Sequence, residues 1–470
     1  MVKLLNEKAE VVVKTPVGNT ESFILSDIVR QGTVYGPQIC ISSMDNVNGI
    51  GKRIVTSYGP EKQIGAAAFV DDVSGIGGID VSNNTIYNCN IMEEKKKMTF
   101  NNKNGKTEYM VVRGNNKEEN KTLTSKVKKG RVDRVKEHKL LGSWLDESGK
   151  YEINIMKRKE KLQFMLSTVR NKASSKTVGV MAVEARMNLA QTVVIQSILH
   201  NIEGFQSHTQ EEVKKLESIQ LTILTGILEL PSSTPYHALL METGWWTMKA
   251  RLMYRKLMLY HNIMRSDEQR IIKTVIKIQK NEKRITTWYY SVEKAIKYYG
   301  ITLLPENTLK STWKRHVKKN INNKMKEEMR GLCKDKTKSR TVKNDEYIKK
   351  EYLGKASITD TKKILKARLH MTKVPGNYKQ LGIVRCPLCD VSDISTEHYF
   401  KCHRCKQLLE TWEVNEKDLR SQDLNKLRNL ANFLEKVEGL LEPIINTRFD
   451  RMKKDAVKKK EEKQRNGKKL

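Results

Sequence analysis

Two clusters of residues in this chain have the types and the spacing to do chemistry. Asp71 and Asp72 follow the apolar run Ala66-Ala67-Ala68-Phe69-Val70 and precede Val73-Ser74-Gly75. An apolar strand, two carboxylates and a return strand predict a hairpin with the acids at its tip. Adjacent carboxylates are costly there unless a cation neutralises them. Such oxygen ligands suit Mg2+ (or Mn2+), which takes one or two carboxylates together with substrate phosphates. Two ions of this kind serve nucleotidyl transfer. One activates an attacking 3′-hydroxyl and the other steadies the departing pyrophosphate. The dipeptide by itself also reads as an ordinary turn, where aspartate is common. The second cluster is Cys386-Pro387-Leu388-Cys389, His398 and Cys402, a C-x2-C-x8-H-x3-C spacing. A C-x2-C turn presents two thiolates to one tetrahedral Zn2+, and His398 and Cys402 from a following helix can complete it. His403 and Cys405 are alternatives for the fourth position. Four protein ligands close a zinc site, so the expected role is to fold a small knuckle that binds RNA or DNA.

Elements must hold these groups. Glu10 to Lys14 and Ala66 to Val70 read as short strands, Asn115 to Lys129 as a loop, and His138 to Asp146 as a further strand-like piece. From 151 to 265 the pattern is helical, with strong helix formers at Met181 to Leu189. Pro231-Ser232-Ser233-Thr234-Pro235 breaks it. From Ala238 a helix resumes that should contain Trp245 and Trp246. Residues 266 to 375 read as basic helices, with Ile271, Ile272, Val275 and Ile276 on one face and Arg270, Lys273 and Lys277 on others. The Lys-rich stretch 451–470 reads as a disordered tail, open to use as a nuclear import signal, as non-specific RNA affinity or as a solvated end.

The 470 residues are enough for two to four domains. Lys and Arg total 88 against 54 acidic residues, a net charge of +34. A surplus of that size attracts polyanions, most commonly nucleic acid. Lys314-Arg315-His316-Val317-Lys318-Lys319 could track a phosphate backbone or be a solvated helix face. Trp245 and Trp246 could stack on bases or serve packing. Four of the seven cysteines fall between Cys386 and Cys405, which argues for a metal site in a reducing compartment rather than a disulfide framework. Met1 to Val13 has no sustained apolar core, and no run approaches membrane-spanning length. The expectation is a soluble intracellular protein of nucleus or cytoplasm, with no membrane partner.

Several of these motifs also resemble, in order, those of non-LTR retrotransposon and group-II-intron-like reverse transcriptases. Asp27-Ile28-Val29-Arg30-Gln31-Gly32-Thr33-Val34-Tyr35-Gly36-Pro37 looks like the family's Arg-Gln-Gly motif, and Phe69-Val70-Asp71-Asp72 like its aromatic-x-Asp-Asp motif. Gly105-Lys106-Thr107-Glu108-Tyr109-Met110 looks like the lysine-bearing motif, and His138 to Asp146, centred on Leu141-Gly142, like the primer grip. The Cys386 to Cys402 pattern and Leu230 to Gly244 resemble further segments recurrent in these elements.

The resemblance implies an α+β fold: a partial palm of antiparallel sheet with helices at 1–146, then a helical thumb-like region at 147–265. Basic helices at 266–380, a CCHC-type zinc knuckle at 381–410, a helical segment at 411–450 and a basic tail at 451–470 follow. It implies an RNA-directed DNA polymerase of a transposable element acting on an RNA template, a DNA primer and dNTPs. Asp71 and Asp72 would hold Mg2+, Lys106 would assist the departing pyrophosphate, and Arg30, Gln31 and Gly32 would line the nucleotide and template pocket. A further catalytic aspartate belongs on a strand N-terminal to Gln31-Gly32. None of the 26 residues before Asp27 fits that role. The expectation is therefore a truncated polymerase that does not extend a primer alone. The alternative is a non-catalytic remnant that binds nucleic acid through basic helices and the knuckle.

Overall fold

The computed structural model describes residues 133–205, 208–268, 270–282, 287–334, 345–374 and 382–466, with shorter pieces at 9–12, 14–15, 18–25, 53–54, 62–63, 66–69, 72–75, 108–110, 285 and 341–342. The fold is α+β and mostly helical. It divides into two compact units. One comprises 1–138, 146–148 and 268–278, and the other 139–145, 149–267 and 279–470.

The first unit carries short strand pairs. β1 (Ala9–Val11) pairs antiparallel with β4 (Phe23–Leu25), β2 (Lys14–Thr15) with β3 (Gly18–Asn19), and β5 (Arg53–Ile54) with β6 (Lys62–Gln63). β7 (Ala66–Phe69) pairs antiparallel with β8 (Asp72–Gly75), and β9 (Glu108–Tyr109) runs parallel to β10 (Asp133–Arg134). β11 (Glu137–Leu140) and β12 (Ser143–Asp146) form a further pair, of which residues 139–145 belong to the second unit. Leu141 and Gly142 between them both have positive φ, 46° and 79°. That is the backbone of a two-residue type I′ turn, whose twist matches that of the flanking strands.

The second unit is a helical body. α1 (Glu152–Glu160), α2 (Leu162–Lys172), α3 (Ala182–Leu189) and α4 (Gln210–Leu228) bury their apolar faces together. Thr209 starts α4 with a capping box: its hydroxyl accepts from Glu212 N, and the Glu212 carboxylate accepts from Thr209 N. Arg158 lies beneath the short helix Ile195–Ile198 and donates to the carbonyls of Ser197, Ile198 and His200. A cation at a helix C-terminus meets orphan carbonyls and the negative end of the dipole.

α5 (Tyr236–Thr243) and α6 (Met248–Met264) follow, then α7 (Ile271–Glu282), which belongs as far as Ile278 to the first unit, and α8 (Trp288–Tyr299) and α9 (Lys310–Lys334) of the second. In α9 every fourth residue from Trp313 through Val317, Ile321, Met325 and Met329 to Cys333 is buried. Positions four apart drift by about 40° on a helix of 3.6 residues per turn. The stripe therefore winds around α9, which packs against α5, α6 and α8. The remaining helices are α10 (Tyr352–Lys355), α11 (Ile358–Arg368), α12 (Lys406–Trp412) and α13 (Leu424–Asn466).

Three local expectations are corrected. Trp245 and Trp246 are not helical. Gly244 in the left-handed region (φ 66°) ends α5, and Thr247 accepts from Ala250 N to begin α6, so the tryptophans lie in the link. On α7 Ile272 is exposed, whereas Lys273 is buried together with Ile276. The Lys273 ammonium is accommodated by Glu268, 2.6 Å away. The stretch expected to be a disordered tail continues α13 as far as Asn466. Lys, Arg and Glu dominate it, and all are good helix formers.

Candidate metal centre

Cys386 enters a tight loop. Its N–H donates to Val391 O (2.7 Å), and Asp390 N donates back to Cys386 O (2.8 Å). Asp390 closes the loop at φ 60°, a left-handed conformation that aspartate tolerates better than most side chains. The loop turns the Cys386 and Cys389 sulfurs toward one point. The other two groups come from turns rather than from a helix, which corrects the expectation. His398 sits in the 3-10 turn Glu397–Phe400, and Cys402 precedes the 3-10 turn His403–Cys405. Ser395 sets up the first of these by accepting the His398 N–H on its hydroxyl (3.2 Å).

The ligand atoms of Cys386, Cys389, His398 and Cys402 all lie within 4.8 Å of one another. Cys389 Sγ and His398 Nε2 are 3.2 Å apart. Zinc bonds of about 2.3 Å in a tetrahedron place sulfurs about 3.8 Å apart. The group thus needs to close by roughly an ångström to hold the ion. Of the alternative fourth ligands, His403 is exposed, and Cys405 is buried next to the group without belonging to it. This Cys3His set can bind zinc.

Burial works against the charged form of these thiols. It pushes Cys386 and Cys405 up, and Cys402 up to about 11. Burial also raises Cys389. The Val391 N–H and the Cys386 and Cys402 thiols outweigh this and bring it below the ordinary value. Three clustered thiolates become stable together when a divalent cation is among them. Beneath the site Tyr399 is fully buried, and Phe400 packs on Phe433 of α13 with ring centroids 5.4 Å apart. The metal loop is thereby seated on the helical body.

The other expected site residues are distributed differently. Arg30, Gln31, Gly32, Asp71 and Lys106 lie outside the described residues. Asp72 is the first residue of β8 and pairs with Phe69, so two residues, Val70 and Asp71, separate the paired positions. Leu141 and Gly142 form the β11–β12 turn. Leu141 O accepts from His200 Nε2 (3.2 Å) and Gly142 O from Arg158 Nη2 (3.3 Å), contacts within the second unit that hold the turn against its helices. Leu141 itself is 44% exposed.

One structural centre has no signal in local spacing. Glu242, in the segment 230–244, is fully buried, as is Arg368 of α11. Arg368 Nε donates to Glu242 Oε1 (2.8 Å) and its Nη2 to Asp345 Oδ2 (2.6 Å). Its Nη1 donates to the carbonyls of Leu419 (2.7 Å) and Ser421 (3.3 Å). Tyr352 donates its hydroxyl to Glu242 Oε2 (2.7 Å), and Lys350 lies 3.2 Å from Asp345. A buried charge needs this degree of pairing. Gly244 has an equally specific role. A Cβ there would meet Lys349 N at 2.5 Å and Ile348 C at 2.8 Å.

No family model matches the chain, and no curated protein sequence matches it. Among the described residues no helix is long and apolar enough to cross a membrane.

Proposed function

We propose that the chain is of reverse-transcriptase type, the palm, thumb and zinc-motif portion of a retrotransposon RNA-directed DNA polymerase. In this reading Asp71 and Asp72 are metal-binding carboxylates, and RNA template and DNA primer are the partners. The observation that carries the reading is the register of β7 and β8. Phe69 pairs with Asp72, so the first and last residues of the aromatic-x-Asp-Asp stretch face each other on antiparallel strands. A metal pair for nucleotidyl transfer needs its carboxylates on such a rigid element. Ordered polymerase-like motifs and a net charge of +34 support the same reading.

The Cys3His group favours a second reading, a non-catalytic nucleic-acid-binding protein. Both readings give the zinc a folding role.

One experiment separates them: binding of a labelled RNA–DNA template–primer to the whole chain, with and without Mg2+ and the next complementary dNTP. The polymerase reading expects Mg2+ and dNTP to tighten binding, and expects Asp71→Asn with Asp72→Asn to abolish that gain. If template–primer binds without any such gain, the polymerase reading fails and the second stands. If template–primer is not bound at all, both fail.

A further inference from the structure

Two adjoining clefts, of about 380 and 610 Å³, lie along α9 and share Gly244, Lys318 and Asn322. One wall carries Trp246 and Tyr254, both half-buried, with ring centroids 5.5 Å apart. The Trp246 backbone is held firmly. Its carbonyl accepts from Gln220 Nε2 (2.8 Å) and Arg251 Nε (3.3 Å). Its indole N–H donates to Asn322 Oδ1 (2.6 Å). The preceding carbonyl, of Trp245, accepts from the Tyr347 hydroxyl. The ring is thus fixed at the edge of the cleft.

The other wall is cationic. The apolar stripe of α9 faces inward and leaves Arg315, Lys318, Lys319 and Lys326 exposed along the clefts. From Arg315 to Lys326 the helix rises about 16 Å at 1.5 Å per residue. Among the described residues no carboxylate lines either cleft. Lys318 Nζ stands 6.0 Å from the centre of the Tyr254 ring. An aromatic surface recessed beside a row of cations is the combination that holds a base face and the phosphates next to it.

We propose that this groove binds single-stranded nucleic acid, with a base against Trp246 and Tyr254 and the phosphates along α9. The proposal rests on the nucleic-acid reading above and adds a place and a strand state to it. Duplex hides its base faces by stacking and would reach only the outer lysines, leaving the aromatic wall unused. An acidic peptide would use the cations but not the flat faces.

The test is fluorescence anisotropy of the whole chain with an end-labelled single strand of about 20 nucleotides, long enough to exceed a 4–16-nucleotide site, at several salt concentrations. Trp246→Leu is expected to weaken binding about tenfold with the salt slope unchanged, a loss within the range of base stacking. Trp246→Phe, which keeps an aromatic face, recovers most of it. Lys319→Ala with Lys326→Ala is expected to weaken binding and flatten the log–log salt slope by about 1.4, two contacts at roughly 0.7 each. Lys214→Ala with Lys436→Ala, exposed lysines of α4 and α13, stays within twofold. If the wild-type chain binds the strand and the groove variants bind equally well, the groove is refuted and the nucleic-acid reading survives. If Trp246→Leu weakens a blunt duplex as much, the single-strand assignment is refuted. Absence of single-strand binding by the wild type overturns the groove outright. In that case the template–primer assay decides the broader reading.

Discussion

Replacing Arg368 with methionine removes the charge at the centre of the buried network while keeping much of its volume. Four hydrogen bonds disappear: those to Glu242, Asp345, Leu419 O and Ser421 O. Glu242 retains the Tyr352 hydroxyl, and Asp345 retains Lys350, but Glu242 is left as a fully buried carboxylate without a cation. Breaking one side of a buried pair costs about 3–5 kcal/mol, because the remaining charge is neither solvated nor paired. We expect Arg368→Met to destabilise the helical unit by about 4 kcal/mol on that basis. Urea unfolding of the whole chain, followed by tryptophan fluorescence, reads the shift. Hydrogen exchange should show lost protection on the C-terminal side of α11 and on the Leu419 to Ser421 backbone it holds. Glu242→Met added to Arg368→Met should recover part of the loss, since a well-packed apolar pair can match a buried ion pair. A cost below about 1 kcal/mol for Arg368→Met, the scale of an exposed pair, would refute the reasoning. So would a double variant whose loss equals the sum of the singles, because contacting groups of one network should couple.

Three further outcomes follow from other parts of the molecule. The purified chain should carry one zinc per molecule by elemental analysis, and Cys386→Ser with Cys389→Ser should lose it and expose 382–412 to protease. Gly244→Ala should destabilise by about 2 kcal/mol or more, from left-handed strain of roughly 1 kcal/mol plus the displacement of the Ile348–Lys349 backbone, read as a lowered melting temperature. Lys256 is fully buried against Ser291, 2.9 Å away, and burial lowers its pKa from 10.5 to about 7. Between pH 7 and 10.5 the unfolded chain holds a proton there that the folded chain does not, so this residue makes stability rise with pH across that window. The full penalty, on the order of 5 kcal/mol, applies below about pH 7. Lys256→Met should therefore stabilise the protein at pH 7 and lose most of that advantage near pH 9.5. An advantage that does not change with pH would overturn the assignment.

The metal loop was legible in the sequence because its chemistry is local. Cys386 and Cys389 sit on one loop whose geometry depends on six residues, and His398 and Cys402 lie close behind. The choice among Cys402, His403 and Cys405 was not legible, because it depends on which side chain the 3-10 turns direct inward. The β7–β8 strand pair was legible for a similar reason, since strand patterning acts over neighbouring residues, whereas His138 to Asp146, read as one strand-like piece, is two strands because Leu141 and Gly142 both take positive φ. The helices of 151–265 followed from their periodicity, whereas their ends did not. Trp245 and Trp246 fell outside a helix because Gly244 has the backbone of Ile348 and Lys349 against it, a contact about a hundred residues away in sequence. The tail misled in the opposite sense. Its charge suggested disorder, yet the same residues are helix formers continuing a helix whose first turns are anchored in the core.

From sequence alone came the net charge of +34, the Cys3His pattern that could hold zinc, and the pairing of the strands on either side of Val70-Asp71. Only the tertiary structure decided which groups face one another at long range. Glu242 meets Arg368 across 126 positions, and Trp246 meets Asn322 across 76. The physical reason is that a buried charge or a recessed aromatic ring is defined by what surrounds it. Those surroundings come from elements whose own sequences carry no mark of the meeting.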